Sequence, residues 1–234
     1  MLSKYPIMNN KKHLFALTVL TFLIFINSGF SQRNYVRMDE IQGVPMTITY
    51  NLNPNEKNID GTPFLFEEWK EVKIERVDGL NLLAPEAKYH VESEDLIAKI
   101  DDTQFLVDNK RQIKYFYIDD RKFLGSSFGQ GYFGFFEVLV DTDKVIFLKK
   151  HICRVNRGKP SNGIIKATND EYKWDVEYYV KKVEENSKPL GLKVNKKSII
   201  LKSNKYPELA NYLNKIKGKF NDEENLIKVF EEFK

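Results

Sequence analysis

The ten residues GSSFGQGYFG, 125 to 134, hold two overlapping patterns that could do chemistry. Gly125-Ser126-Ser127-Phe128-Gly129 fits G-x-S-x-G, the strained turn that exposes a serine nucleophile in α/β-hydrolases. Gly129-Gln130-Gly131-Tyr132-Phe133-Gly134 fits G-x-G-x-x-G, whose glycines let backbone N–H groups approach a pyrophosphate or, in kinases, cover ATP. Each pattern needs a context. The nucleophile turn needs a helix after the serine and a parallel sheet beneath it. The dinucleotide turn needs a helix at its third glycine, so that the positive end of the helix meets the phosphate. Here FFEVLV follows, aromatic and β-branched, which predicts a strand. The kinase version does want a strand, but H-R-D and D-F-G are absent: the histidines are His13, His90 and His151, and none precedes Arg-Asp. The decapeptide is therefore read as a bend between extended segments.

Other reactive side chains point the same way. His90 and His151 have no second ligand at metal-binding spacing, and Asp141-Thr142-Asp143 lacks the glycine of a calcium loop. The pairs Glu67-Glu68, Asp101-Asp102 and Asp119-Asp120 could serve acid–base work, but neighbours on a strand face opposite ways. Two carboxylates converging from distant strands, as in a glycosidase, stay open as an alternative. The single cysteine, Cys153, excludes an internal disulfide. Within VIFLKKHICRV it reads as a buried small hydrophobe, with an intermolecular bridge or a reactive thiol as the other reading. No catalytic residue, metal or cofactor is assigned. The stretch DGTPFLFEEW, 60 to 69, offers Phe64, Phe66 and Trp69 as anchors for a binding surface. The favoured alternative is that they plug one end of a β body.

The elements that must position these residues are mostly strands. MTITY, EVKIERV, LNLL, AKYHVE, DLIAKI, RQIKYFYI, YFGFFEVLV and KVIFLKKHICRV follow one another at antiparallel spacings, with Asp78-Gly79 and Asp141-Thr142-Asp143 as turns. Residues 156–170 read as a loop or soft boundary. YKWDVEYYVKK and LGLKV add two strands, and then the period changes. Leu209, Tyr212, Leu213 and Ile216 recur at helical spacing, with Gly218 as a C-terminal stop. Asn221 with Glu224 reads as the capping box of a second helix, whose apolar face is Leu226, Ile227, Phe230 and Phe233. The expected fold is α+β: a predominantly antiparallel β body with a short two-helix C-terminal tail packed on it. The β body spans 32–155, and 171–234 belongs to the same domain.

The chain's 42% hydrophobic content can build a sizeable core. Its formal charge of +4 invites a nucleic-acid reading. Lys4, Lys11 and Lys12 account for most of that charge, in a leading 31 residues without Asp or Glu. Without them the charges nearly balance and are interspersed, so no basic stripe is left to neutralise phosphates and no nucleic-acid partner is expected. That leading segment has a basic start, the apolar run LFALTVLTFLIFI and small residues before Gln32, the layout of a secretory signal peptide cut after Ser31. Met8 reads as its natural start. Thirteen residues of helix reach about 20 Å against a bilayer core of about 30 Å, which disfavours a retained anchor. No transmembrane helix is expected after its removal.

GTPFLFEEW, followed by EVKIERVDG and AKYHVESEDLIAKI, resembles a layout recurring in small exported proteins of the Bacteroidota, flavobacteria above all. In them a G-[ST]-P-[FY]-L-x-[DE]-[DE]-[WF] segment precedes a strand pair, an FEVLVD strand with LLKK, a tyrosine-rich strand and a helical tail. Here FFEVLVDTDKVIFLKK, WDVEYYVKK and EENLIKVFEEF take those places. The resemblance carries over no catalytic residue. It implies a protein of the periplasm or outer membrane of a Gram-negative cell. The resulting expectation is an exported protein that works by contact, its partner another envelope protein. The alternatives are a carboxylate-based hydrolase acting on envelope polymer and a subunit of a larger envelope assembly.

Overall fold

The computed structural model describes residues 35–38, 46–48, 59–160, 167–184, 187–192, 206–216, 220 and 222–233. The leader, its cut site, Gly218 and Asn221 lie outside them. The described residues from Tyr35 onward belong to one compact unit. They form the expected α+β arrangement: one mostly antiparallel sheet carrying two C-terminal helices. The strands are β1 (Val36–Arg37), β2 (Met46–Ile48), β3 (Ile59–Asp60), β4 (Lys70–Arg76), β5 (Asn81–His90), β6 (Asp95–Ile100) and β7 (Thr103–Val107). They continue with β8 (Ile113–Ile118), β9 (Arg121–Phe128), β10 (Tyr132–Asp141), β11 (Val145–Asn156), β12 (Asp170–Lys182) and β13 (Leu190–Leu192). The helices are α1 (Pro207–Lys215) and α2 (Glu223–Glu232). No helix among the described residues is long and apolar enough to cross a membrane.

The spatial order is β13-β12-β11-β10-β9-β8-β4-β5-β6-β7-β2, with β1 and β3 adding short parallel pairs to β5 and β12. Two meanders, β4 to β7 and β8 to β13, thus share one sheet through the β4–β8 ladder. LNLL and AKYHVE, expected as separate strands, are one strand. The β4 register slips between Lys70 and Val72 opposite Pro85, so the proline sits at a bulge where no ladder partner is needed. The acidic pairs lie on turns and not on strands. Asp101 and Asp102 take φ of 46° and 62° between β6 and β7, and Asp119 takes 52° between β8 and β9. Short acidic side chains tolerate that left-handed region.

Alternation along β11 organises the core. Val145, Phe147, Lys149, His151, Cys153 and Val155 share one face, called here the inner face, and the even-numbered residues share the outer one. At one end of the inner face Phe116 stacks on Phe123 at 4.6 Å, Phe135 meets Phe116 edge-on at 4.9 Å, and Tyr89, Cys153 and Tyr172 complete a cluster. At the other end both helices cover the sheet, with Leu209, Leu213, Leu226 and Phe230 against Val140, Phe147, Tyr178 and Val180. Phe230 stacks on Phe147 at 4.4 Å. Leu124, Phe136, Ile146 and Leu148 form a third, smaller cluster.

The cap of α2 is Asp222, one residue later than the sequence pattern suggests. Its Oδ1 accepts from Asn225 N at 2.9 Å, and its Oδ2 accepts from Asn225 Nδ2 at 2.6 Å. The shift places Glu223 in the first turn, where it accepts from Tyr178 Oη at 2.7 Å and Lys149 Nζ at 3.1 Å. Val229 joins Leu226, Phe230 and Phe233 in the buried stripe, and Ile227 falls at its margin. Asp222→Ala is expected to cost about 1 kcal/mol, read as a lowered melting temperature.

Candidate functional site

The decapeptide is the β9–β10 hairpin. Gly129 and Gly131 take φ of 52° and 98°, Gly131 N donates to Phe128 O at 3.1 Å, and Tyr132 opens a strand where the nucleophile turn and the dinucleotide turn would each require a helix. Ser127 Oγ accepts from Arg111 Nη1 at 3.5 Å, while His151 contacts Glu137 and Arg121 and His90 contacts Ser93. Two glycines serve close packing. A Cβ on Gly125 would lie 2.3 Å from the carbonyl oxygen of Ile113, and one on Gly134 would lie 2.6 Å from Lys150 Nζ.

That second contact marks the place where the sheet opens. β10 and β11 pair from Asp141↔Ile146 back to Glu137↔Lys149, with a bulge between Val138 and Val140, and there their ladder stops. Among the described residues, β11 continues to Asn156 beside β12 alone. Glu94, from the β5–β6 turn, fills part of the gap. Its Oε2 accepts from Phe135 N at 2.9 Å and from Tyr89 Oη at 2.6 Å, and its Oε1 pairs with Lys150 Nζ. Lys150 is 6% exposed, and its ammonium lies 5.0 and 5.1 Å from the ring centres of Phe128 and Phe136. Such a charge is tolerated at depth because a carboxylate and two π faces replace its water. Glu94 takes φ of 60°, a left-handed backbone that a glutamate adopts only when its surroundings hold it there.

Beyond this pair lies a cleft of about 480 Å³. The consecutive residues Lys150–Val155 line it, with Val91, Glu92, Phe128 and Glu177 among the other walls. Successive residues of a strand point to opposite faces, so a lining run of both parities fits a cleft along the strand's β10-side edge, which Glu177 of β12 reaches over the outer face. Cys153 packs here as the small apolar side chain expected. Burial, and then the charge of Glu92, push its thiol up to about 11.

On the inner face at the same branch point, Arg121 donates to both oxygens of Glu137 at 2.6 Å, and His151 Nε2 lies 2.7 Å from Oε2. Burial alone would raise the Glu137 carboxyl. Hydrogen bonds from His151 and then Arg121 outweigh it and bring the value to about 2. A carboxylate this acidic accepts from Nε2, so that nitrogen carries the proton and its 2.9 Å approach to Arg121 Nη2 is two donors sharing one oxygen. Because the folded value lies below the ordinary 4.5, this group's stabilisation is complete above that value. It is lost as pH falls toward 2. Urea unfolding between pH 5 and pH 2 is expected to steepen in pH dependence for the wild type relative to Glu137→Gln.

Phe64, Phe66 and Trp69 lie at the end of β5. Phe64 bridges His90 and meets its ring edge-on at 5.1 Å, and Leu65 N donates to Tyr89 O at 3.0 Å. Lys88 Nζ stands 5.2 Å from the Phe64 ring and 4.9 Å from Trp69, while Phe66 lies under Lys70 and Arg121. The three rings are half-buried, cation-covered neighbours of the site and do not line the cleft. Among the described residues no three His, Cys, Asp or Glu side chains gather as a metal site. In comparisons with protein-family models, curated proteins and solved structures, the chain finds no match.

Proposed function

We propose that the chain is an exported envelope protein, of the periplasm or the outer-membrane face, that works by contact and not by catalysis. The observation that supports contact most directly is the strand edge of β11 along the cleft. An uncovered edge offers a row of backbone donors and acceptors, which proteins normally blunt or cover. Export rests on the basic start, the thirteen-residue apolar run and the small residues before Gln32. The likeness to exported Bacteroidota proteins points the same way. Fractionation of a Gram-negative host expressing the whole chain, with N-terminal sequencing, tests this. The expected product is an envelope-fraction protein beginning at Gln32; an uncut chain in the cytoplasm contradicts it. Affinity purification from the native membrane fraction then tests for a partner.

One observation favours a second reading, a carboxylate-based hydrolase of envelope polymer: Glu92, Glu94 and Glu177 line the same cleft. Glu94 is already engaged by Lys150, Tyr89 and Phe135. That leaves Glu92 and Glu177 as the pair to test. Release of soluble fragments from purified peptidoglycan, abolished in Glu92→Gln and in Glu177→Gln, would establish the hydrolase.

A further inference from the structure

Two turn hydrogen bonds fix the direction of each backbone group along β11. Val145 O accepts from Thr142 N at 3.0 Å on the β10 side, and Lys144 O accepts from Val183 N at 3.2 Å on the β12 side. Backbone groups alternate sides residue by residue, and the β11–β12 register runs without a slip from Val145 to Asn156. Odd-numbered residues of β11 therefore direct N–H and C=O away from β12. The facing strand agrees. Gly131 N donates to Phe128 O across the hairpin, which turns the even-numbered residues of β10 ahead of its bulge, Tyr132 to Glu137, toward β9 and the odd ones toward β11. Phe135 N, an odd one, does point into the gap, where Glu94 receives it. His151, Cys153 and Val155 thus present their backbone groups to the cleft, with no strand paired to them there among the described residues.

We propose that this recessed edge receives an extended segment of a partner protein as an added β-strand. The inference rests on the contact reading and names what makes the contact. The edge from Lys150 to Val155 is about 20 Å long, enough for a six-residue segment. Main-chain hydrogen bonds would supply affinity, and side-chain alternation would supply selectivity. One face of the incoming strand meets Cys153, Val155 and Val91, so every second residue is apolar. The other meets Ile152, with Arg154 and Glu177 of opposite charge beside it, so the residues between are small, threonine-like and carry little net charge. Two copies do not pair through this edge, because Phe128 and the β5–β6 turn flank it and keep two β11 edges apart. A narrow extended peptide can enter.

The probe is acetyl-(Val-Thr)3-amide, with the same peptide N-methylated at alternate residues as control, added to the mature chain under residue-resolved amide exchange. The plain peptide is expected to slow exchange at His151, Cys153 and Val155 by about tenfold or more while leaving Ile152 and Arg154 unchanged, and the methylated one to do nothing. Protection by neither, or equally by both, overturns the proposal. Val155→Pro deletes one cleft-facing N–H and leaves the β12 ladder intact. In purification from native membranes it is expected to lose the partner that the wild type retains. Undiminished capture by Val155→Pro overturns the added strand and leaves the contact reading standing. If the wild type captures nothing, the contact reading itself fails. A mass that rises with concentration, and does not in Val155→Pro, would make the occupant a second copy and overturn the partner assignment.

Discussion

Glu94→Gln is expected to lower the free energy of unfolding by about 3–5 kcal/mol, because it leaves Lys150 as a buried charge without its counter-ion. The two side chains are 17% and 8% exposed, too little water to rescue a lone ammonium. Removing both charges should recover much of the loss: Glu94→Gln with Lys150→Met replaces a buried ion pair by neutral groups of similar length. Lys150→Met alone should cost less than Glu94→Gln. The carboxylate it leaves still accepts from Phe135 N and Tyr89 Oη, whereas the ammonium left by the reverse change faces two aromatic rings. Urea titration of the four chains measures the coupling. A loss below about 1 kcal/mol for Glu94→Gln would class the pair with ordinary surface ion pairs.

Gly125→Ala is expected to cost about 3 kcal/mol, with lower yield of folded protein, because the added carbon meets a backbone carbonyl at 2.3 Å and two phenylalanine rings behind it. Gly129→Ala, in the same decapeptide, should cost only about 1 kcal/mol. Its neighbourhood is empty and only the left-handed φ resists. Gly134→Ala falls between them, since Lys150 Nζ can shift but is tied to Glu94. The order 125, 134, 129 in thermal unfolding separates a packing role from a phosphate-binding one. A cradle for phosphate would make Gly129 and Gly131 the sensitive pair.

Much of this was legible in the sequence because strands and helices announce themselves by period. Phe135, Phe147 and Tyr178 alternate where a two-faced sheet needs them, and Leu209, Leu213, Leu226 and Phe230 recur where helices must cover it. β7 and β9 were not legible: TQFLV is too short to show a period, and the serines and glycine of RKFLGSSF look like turn material. Pro85 hid the continuity of β5, since a proline in a strand normally marks its end. The charged residues at the branch point left a faint signal. Lys150 shares its parity with Ile146, Leu148 and Ile152, and Glu137 is wedged into FFEVLV, so each stands where an apolar residue belongs. Their partners could not be read. Glu94 is 56 residues from Lys150 in sequence and reaches it only because a turn between two other strands enters the gap.

Everything proposed for the cleft depends on β11 leaving β10 after Lys149 while staying paired with β12. Amide exchange of the free chain, resolved along residues 150 to 156, examines this without any ligand. Alternation is expected: fast exchange at His151, Cys153 and Val155, and slow exchange at Ile152, Arg154 and Asn156, whose N–H groups face β12. Uniformly slow exchange through the whole run would mean that the edge is already covered, and would contradict the open cleft.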